Sequence, residues 1–229
     1  MRAAGDARRL MQNRVMDPRV NFGRWSTDCV DVGIVPSESD YRRVRRAWRG
    51  MGRHYHTLSH LDSCLREFDG ARELALRPAE VELALWFHDA VYRGWRRDNE
   101  ARSAALAADV LRGASIESVE RIRQMILATL HDDGGFSGDT ALVIDIDLSI
   151  LGAPPDVYSR FESAIRREYW WVPRARYVAG RSKILARFLG RKAIYTHDFF
   201  YDRYERAARA NIAAALGALK GSFKGDRSI

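Results

Sequence analysis

The sequence predicts an all-α fold made of one helical domain. Apolar residues recur at the three- and four-residue spacing of one helix face through most of the 229 residues. Few segments alternate apolar and polar residues with the period of two that a half-buried strand shows. No internal repeat and no long linker divides the chain. We therefore expect a flexible N-terminal segment at 1–20, a helical domain at 21–220 and a frayed tail at 221–229.

The first predicted helix begins at a capping box. Ser37 and Asp40 stand at its start, where a serine accepts a bond from a free amide and a carboxylate favours the positive end of the helix dipole. Tyr41, Val44 and Trp48 then lie on one face. A second helix is predicted from Thr57 to about Leu76, with an apolar stripe of Leu58, Leu61, Leu65 and Phe68.

Helix-start signals mark the next three elements. Pro78 suits the first turn of a helix that runs to Tyr92, and Asp98 suits the N-cap of one that ends at Leu111. Ser115 or Ile116 opens another, which ends at about Leu130. A loop with adjacent glycines follows, and the last four helices are predicted near 141–151, 156–169, 174–189 and 201–219.

Charge and composition narrow the classes of partner. The formal net charge is +8, the pI is about 9.8, and lysine occurs at only four positions, so 34 of the 38 basic residues are arginine. Such a surplus favours phosphorylated metabolites, nucleic acid or acidic lipid headgroups, although a solvated basic surface explains much of it. No run approaches the roughly 18 apolar residues that a membrane helix needs. We expect a small phosphorylated substrate, with nucleic acid less favoured and no membrane partner.

The cysteine content and the first residues predict the compartment. Cys29 and Cys64 are too few for a disulfide framework and lack the spacing of a zinc finger. The first twelve residues carry charges but no apolar stretch of the kind found in secretory signals. A reducing, cytoplasmic location is therefore expected.

Polar residues on apolar helix faces are the candidate functional groups. His88 projects onto the same face as Val81 and Leu85, with Asp89 at the edge of that stripe. Burying an unpaired carboxylate is very costly, so a cation, a charged side chain or a metal ion is needed beside it. In the 143–151 segment the same projection makes Asp147 the buried carboxylate and Asp145 the solvated one.

Three histidines lie between positions 54 and 60. His56 and His60 are four apart, which puts both imidazoles on one side of a helix. His56, His88, Asp89 and Asp147 together offer two imidazoles and two carboxylates. That mixed set suits a divalent ion such as Mn²⁺, Fe²⁺, Co²⁺, Ni²⁺ or Zn²⁺, with Mg²⁺ as a further option, and leaves coordination positions open.

These residues resemble the H…HD…D signature of the HD-domain superfamily, in particular its uncharacterised bacterial branch of predicted metal-dependent phosphohydrolases. The resemblance extends from about Trp25 to Asn211. The segments that carry it are Arg53-x-Tyr55-His56-x-Leu58-x-His60, Phe87-His88-Asp89-Ala90-Val91-Tyr92, Asp98-Asn99-Glu100-x-x-Ser103-Ala104, Asp145-x-Asp147-Leu148-x-Ile150-Leu151-Gly152 and Arg167-Glu168-Tyr169. It implies an all-helical domain with a divalent metal at its centre and, less directly, hydrolysis of a phosphate ester such as a small nucleotide.

Neighbouring residues are candidates for the catalytic machinery. Glu100 shares a helix face with small apolar residues, so it is predicted as a general base or a group that orients water, against a purely helix-dipole role. Arg53 could contact phosphate or hold Asp89. Arg181 could bind two phosphate oxygens, against a structural pair with Glu168 or Glu205.

The remaining histidines have weaker predictions. His60 is interpreted as a core residue or a support for the ligands. His131 projects away from the apolar face of its helix, which leaves a second-metal role as the less favoured alternative. His54 and His197 are predicted to be peripheral.

Two other function classes remain open from the sequence. One is an iron-dependent oxygenase on the same scaffold, which needs extra ligands that only His131 or His60 can supply. The other is a basic helical protein that binds nucleotide or nucleic acid around a structural metal. Iron content and oxygen consumption separate the first from a phosphohydrolase, and salt-dependent nucleic-acid binding without turnover indicates the second.

Overall fold

A computed structural model describes residues 19–131 and 135–224, and it confirms the all-α fold, because this part of the chain contains no strand. Short 3₁₀ turns extend two of the helices, at Arg72–Leu74 and Ser149–Gly152. The α-helices are α1 Phe22–Asp31, α2 Glu38–Ala47, α3 Leu58–Ala71, α4 Pro78–Phe87, α5 Asn99–Val110, α6 Ile116–Ala128, α7 Gly138–Leu148, α8 Pro155–Glu168, α9 Arg174–Gly190 and α10 Asp198–Lys224.

Most predicted helices are present, with two notable differences in extent. The helix that begins at Pro78 ends at Phe87 rather than at Tyr92. Helix α10 begins at Asp198 and continues to Lys224, into the segment predicted as a frayed tail. The predictions for 1–18 and 225–229, and for the loop residues 132–134, lie outside the described residues.

Helix α4 is the centre of the core. All eight residues from Glu80 to Phe87 are buried, which is the pattern of a helix surrounded by others rather than one that covers a surface. Trp86 packs edge-on against Trp25, with ring centroids 5.4 Å apart, and its carbonyl accepts a bond from Trp48 Nε1 at 2.9 Å. The tryptophans of α1 and of the α2 C-terminus thus fix one side of α4.

The C-terminal end of α4 is shaped by Arg53. Its guanidinium donates to the carbonyl oxygens of Asp89 and Ala90, each at 2.7 Å, and to that of His56 at 2.9 Å. These bonds satisfy carbonyls of the turn that follows α4 and of the loop before α3. They also tie the loop before α3 to the turn that carries His88 and Asp89.

No helix in the described part of the chain combines the length and apolar character needed to cross a bilayer. The longest helix, α10, carries charged residues along its length.

A buried carboxyl pair lies on the far side of the core. Asp28 is buried, and its Oδ2 has no hydrogen-bond partner among the described residues. Burial, together with the charge of Glu82, raises the pKa of Asp28. Glu82 is itself held by Arg24 and by Arg72, whose Nη1 lies 2.8 Å from Glu82 Oε2. The folded protein therefore keeps a proton on Asp28 that the unfolded chain loses above its ordinary pKa.

Replacing Asp28 by asparagine should stabilise the protein increasingly as pH rises. Unfolding releases a proton from Asp28 at neutral pH, so stability falls with rising pH in the wild type, and an uncharged amide removes this dependence. We expect a gain of about 1–3 kcal/mol at pH 8, or several degrees in Tm, and little gain near pH 4. Thermal unfolding at both pH values measures it, and an equal Tm difference at the two would contradict it.

Candidate metal centre

The ends of three helices meet at one point. His60 lies in the first turn of α3, His88 and Asp89 directly follow α4, and Asp147 is next to the last residue of α7. His88 is buried and held in place by the indole of Trp48, whose ring centroid lies 5.4 Å away. Because each donor comes from a packed helix end, the cluster is rigidly supported.

The donor atoms converge at the separations expected around one ion. His60 Nε2 lies 3.2 Å from His88 Nε2 and 3.1 Å from Asp147 Oδ1. Asp89 Oδ2 lies 3.2 Å from His88 Nε2 and 3.7 Å from His60 Nε2, and His88 Nε2 lies 3.5 Å from Asp147 Oδ1. Two atoms that bind one ion at about 2.1 Å are themselves about 3.0–3.4 Å apart. The geometry therefore fits a single cation.

The tautomer of His88 strengthens this interpretation. Its Nδ1 lies 2.9 Å from the carbonyl oxygen of Leu85, which can only accept. Nδ1 therefore carries the hydrogen, and in the neutral ring Nε2 presents a lone pair to the cluster. In the metal-free protein a proton on His88 Nε2 supplies the positive charge that the facing carboxylates need, and a divalent ion can take its place. The chemistry of the donor set thus fits a metal ion.

Cys64 lies beside the cluster, one turn after His60. His60, Cys64, His88 and Asp147 offer ligand atoms that all lie within 4.8 Å of one another and could hold a metal ion. Cys64 Sγ, however, is 3.7 Å from both Nδ1 and Nε2 of His60. An atom equally far from both ring nitrogens does not lie along the lone pair of either one, so the thiol is not aimed at the same point as Nε2.

His56 lies at the edge of the cluster and is oriented by Glu168. Its Nδ1 donates to Glu168 Oε2 at 2.6 Å, while its Nε2 is 3.9 Å from Asp89 Oδ2. Glu168 Oε1 accepts bonds from the backbone amides of His54, Tyr55 and His56. Burial works against the ionised form of Glu168, but the bond from His56 and these amides bring its pKa down to about 2.

Charges within the cluster shift the pKa values in opposite directions. Burial lowers the pKa of His60, and this effect outweighs the bond to Asp147. For His88 burial also acts downward, but the charges of Asp89 and Asp147 outweigh it and raise its pKa well above the ordinary value. The pKa values of both carboxyls are lowered despite burial, because the imidazoles favour their ionised forms. Both acids are therefore ready to bind a cation at neutral pH.

His131 contacts the opposite oxygen of Asp147. Its Nε2 lies 2.9 Å from Asp147 Oδ2, and its Nδ1 is buried with no hydrogen-bond partner in the described ranges. The backbone φ of His131 is +57°, in the left-handed region that non-glycine residues seldom adopt. This conformation turns the ring toward Asp147, which projection along the preceding helix did not predict.

Glu100 lines the cavity in front of the cluster. It lies in the first turn of α5 and is partly buried. Burial raises its pKa, and the negative charges of Asp89 and Asp147 act in the same direction. A carboxylate with a raised pKa accepts a proton more readily at neutral pH.

The two arginines predicted to bind phosphate are engaged elsewhere. Arg53 is bonded to three backbone carbonyls, as described above, and it does not line the cavity. Arg181 lines the cavity but pairs with Glu162 through two bonds, of 3.1 Å and 2.6 Å. Its partner is therefore neither of the two acids considered from the sequence.

The prediction that Asp145 is solvated is wrong. Asp145 is fully buried and accepts bonds from the backbone amides of Thr196 and His197 and from His197 Nδ1, at 2.8–2.9 Å. The projection assumed that α7 buries one face, whereas 141–146 are buried on all sides. Asp145 therefore anchors the chain before α10, and His197 has a structural role.

A cavity of about 530 Å³ opens in front of the cluster. His56, Asp89, Glu100, His131 and Asp147 are among the residues that line it. Apolar and aromatic side chains form most of the remaining wall, and α9 supplies many of them: Tyr177, Ile184, Leu185 and Phe188. Concave, mainly apolar pockets with a few converging polar groups are typical of small-molecule sites.

Comparison with models of protein families, with curated proteins and with solved structures found no match for this chain.

The structure unites three of the four predicted ligands and adds one residue. His88, Asp89 and Asp147 converge with His60, which the sequence predicted as a core residue or a support for the ligands, while His56 lies at the edge. The four-residue spacing of His56 and His60 already indicated that both face the same way. The spacing alone does not indicate which of the two histidines joins the cluster.

Proposed function

We propose that this protein is a metal-dependent phosphohydrolase of the HD-domain type that acts on a small phosphate ester, either a nucleotide or another phosphomonoester. The observation that carries the proposal is the convergence of His60, His88, Asp89 and Asp147, whose two carboxylates line an open cavity. The order of these residues resembles the H…HD…D pattern and supports the same class.

The four residues would hold the ion through two imidazole nitrogens and two carboxylate oxygens. This mixed set suits borderline ions such as Mn²⁺, Fe²⁺, Co²⁺, Ni²⁺ and Zn²⁺, and it also admits Mg²⁺. When bound, a divalent ion lowers the pKa of water and polarises a phosphoryl oxygen.

Two residues on the cavity wall are placed to move protons. Glu100, whose pKa is raised, accepts a proton from the attacking water. His56 presents Nε2 to the cavity and donates a proton to the leaving oxygen, while Glu168 holds its ring in place from behind. Arg176, at the cavity wall, supplies a positive charge for the phosphate, because Arg53 and Arg181 have other partners.

A screen of phosphate release tests the proposal. The purified protein is supplied with each divalent ion in turn and assayed on nucleotides and simple phosphomonoesters, beside the variant Asp89→Ala. We expect release from at least one substrate class that depends on the ion and is lost in the variant. Release that is unchanged in Asp89→Ala would refute the mechanism.

Replacing His56 by asparagine should slow catalysis without removing the ion. We expect kcat to fall by about 10²–10⁴-fold for an alkyl phosphate, because loss of a general acid has that scale. An aryl phosphate with an electron-withdrawing ring needs less protonation of its leaving oxygen, so the fall in kcat should be smaller for this ester.

His60→Ala is the matched comparison, because it should lower ion content as well as activity. Metal analysis of both variants and kinetics on both esters measure the difference. Loss of the ion from His56→Asn would instead assign His56 as a ligand.

The contact between His131 and Asp147 supports a second candidate, an iron-dependent oxygenase. Asp147 meets His60 and His88 through one oxygen and His131 through the other, the arrangement of a carboxylate that bridges two ions. Metal stoichiometry and oxygen consumption distinguish the two functions. One ion per chain with no oxygen uptake favours the phosphohydrolase, and two iron ions with uptake favour the oxygenase.

A further inference from the structure

The positive charge of the chain is concentrated in one segment. Residues 157–196 contain ten Lys or Arg residues and two acidic residues, a surplus equal to the entire formal net charge of +8. The rest of the chain is neutral on balance. This segment comprises most of α8, the loop after it and the whole of α9.

The two acids of this segment do not neutralise its surface. Glu162 is paired with Arg181, and Glu168 is buried against His56 and three backbone amides. Several cations, in contrast, are exposed and have no acidic partner within ion-pair distance in the part of the chain described: Arg167, Arg174, Arg176 and Lys183.

Three exposed tryptophans lie in the loops beside these arginines. Trp170 is 76% exposed and Trp171 46% exposed in the loop between α8 and α9, and Trp95 is 64% exposed in the loop before α5. The two loops are in contact, since a Cβ built on Gly94 would lie 3.1 Å from the carbonyl oxygen of Glu168. Large exposed aromatic side chains in adjoining loops mark an interaction site rather than ordinary surface.

The loop that carries Trp170 and Trp171 is braced from within. Arg166 donates to the carbonyl oxygens of Tyr169 and Val172, at 2.5 Å and 3.2 Å. The same guanidinium lies over the ring of Tyr177, 4.7 Å from its centroid. The indoles are therefore held outward by a fixed backbone.

We call this surface the arginine–tryptophan face and define it by Trp95, Arg167, Trp170, Trp171, Arg174 and Arg176. The apolar cavity adjoins it, because Tyr169, Val172 and Arg176 line that cavity. Tryptophan at the boundary between headgroups and acyl chains, with arginine beside anionic headgroups, is the combination found at membrane surfaces. Duplex readers, in contrast, place a helix or a strand pair in a groove, which projecting loops do not provide.

We propose that the arginine–tryptophan face docks on the surface of an anionic phospholipid bilayer, with the indoles inserted among the headgroups. Such contact needs no spanning helix. It departs from the expectation of no membrane partner and takes up acidic lipid headgroups, one of the partner classes that the basic surplus favours. Its test is independent of the proposed activity, because Trp95, Trp170, Arg167 and Arg174 are not among the residues assigned to the ion or to the phosphate.

Co-sedimentation of the full chain with vesicles tests it. Phosphatidylcholine vesicles with and without phosphatidylglycerol are compared at low and high salt. We expect binding only where phosphatidylglycerol is present, weakening as salt rises. Each arginine near an anionic leaflet contributes about fivefold in affinity, so Arg167→Glu with Arg174→Glu should bind at least about twentyfold more weakly. Trp95→Ser with Trp170→Ser should also weaken binding, with less dependence on salt.

Matched variants outside the face serve as controls. Arg77→Glu with Arg206→Glu makes the same charge change at exposed positions, and Ile116→Ser removes an apolar side chain that is 84% exposed. Both should bind like the wild type. Equal losses in face and control variants, or no binding to phosphatidylglycerol, would overturn the proposal. Tighter binding of single-stranded oligonucleotides, lost in the same face variants, would assign the face to nucleic acid instead.

Discussion

Alanine at position 147 should remove the metal ion and reduce kcat/KM by at least about 10³-fold, or roughly 4 kcal/mol of transition-state stabilisation. Asp147 joins the cluster to His131: Oδ1 approaches His60 and His88, and Oδ2 approaches His131. Without its carboxylate the remaining donors keep one negative charge instead of two.

Elemental analysis of the purified variant, together with phosphate release, measures this effect. Asp147→Asn is the isosteric companion, since it keeps the shape and one oxygen but loses the charge. Asp156→Ala removes an exposed acid on α8 that pairs with Arg160, and it should change neither ion content nor rate. A fully loaded and active Asp147→Ala variant would show that the ion lies elsewhere.

Helical spacing was sufficient to predict most of the fold, and its failures have local causes. Helix α1 was not predicted, although Phe22, Trp25 and Cys29 lie at three- and four-residue intervals and Asn21 caps it. The prediction for α4 places its end at Tyr92, because apolar residues continue beyond Phe87. Helix α4 ends at Phe87, and Arg53, which comes from a distant loop, holds the carbonyls of Asp89 and Ala90 in the turn beyond it.

The site was predictable where a carboxylate had to be buried. An adjacent histidine and aspartate on an apolar face indicated a cation at His88 and Asp89, and the donors do converge there. The choice between His56 and His60 was not predictable, because it depends on Glu168 from α8, which is more than a hundred positions away. Contacts between segments that are far apart in the sequence cannot be recognised from the local spacing of residues.

Asp145 and Asp147 show the limit of projecting a single helix. The projection identified Asp147 as inward facing and assigned Asp145 to solvent, on the assumption that one face of α7 is buried. Both carboxylates are in fact used, one for the cluster and one to hold the segment before α10. Two aspartates separated by one residue therefore have different roles, and variants at the two positions can distinguish these roles.

Asp145→Ala should destabilise the protein by about 3–5 kcal/mol, or about 10 °C in Tm, because it leaves the amides of Thr196 and His197 without an acceptor at a buried site. Burial raises the pKa of Asp145 even though these amides and His197 stabilise its charge, so the site depends on all three bonds. Asp145→Asn keeps one acceptor oxygen and should lose about half as much.

Thermal unfolding of the metal-free proteins measures the loss in Asp145→Ala, and Asp147→Ala is the matched control on the same helix. The folded fraction of Asp145→Ala should still bind the ion, since the carboxylate of Asp145 in the wild type contacts none of the cluster donors. Asp147→Ala, in contrast, should lose the ion and keep most of its stability. A stable Asp145→Ala variant that fails to bind the ion would reverse the two assignments and place Asp145 in the metal centre.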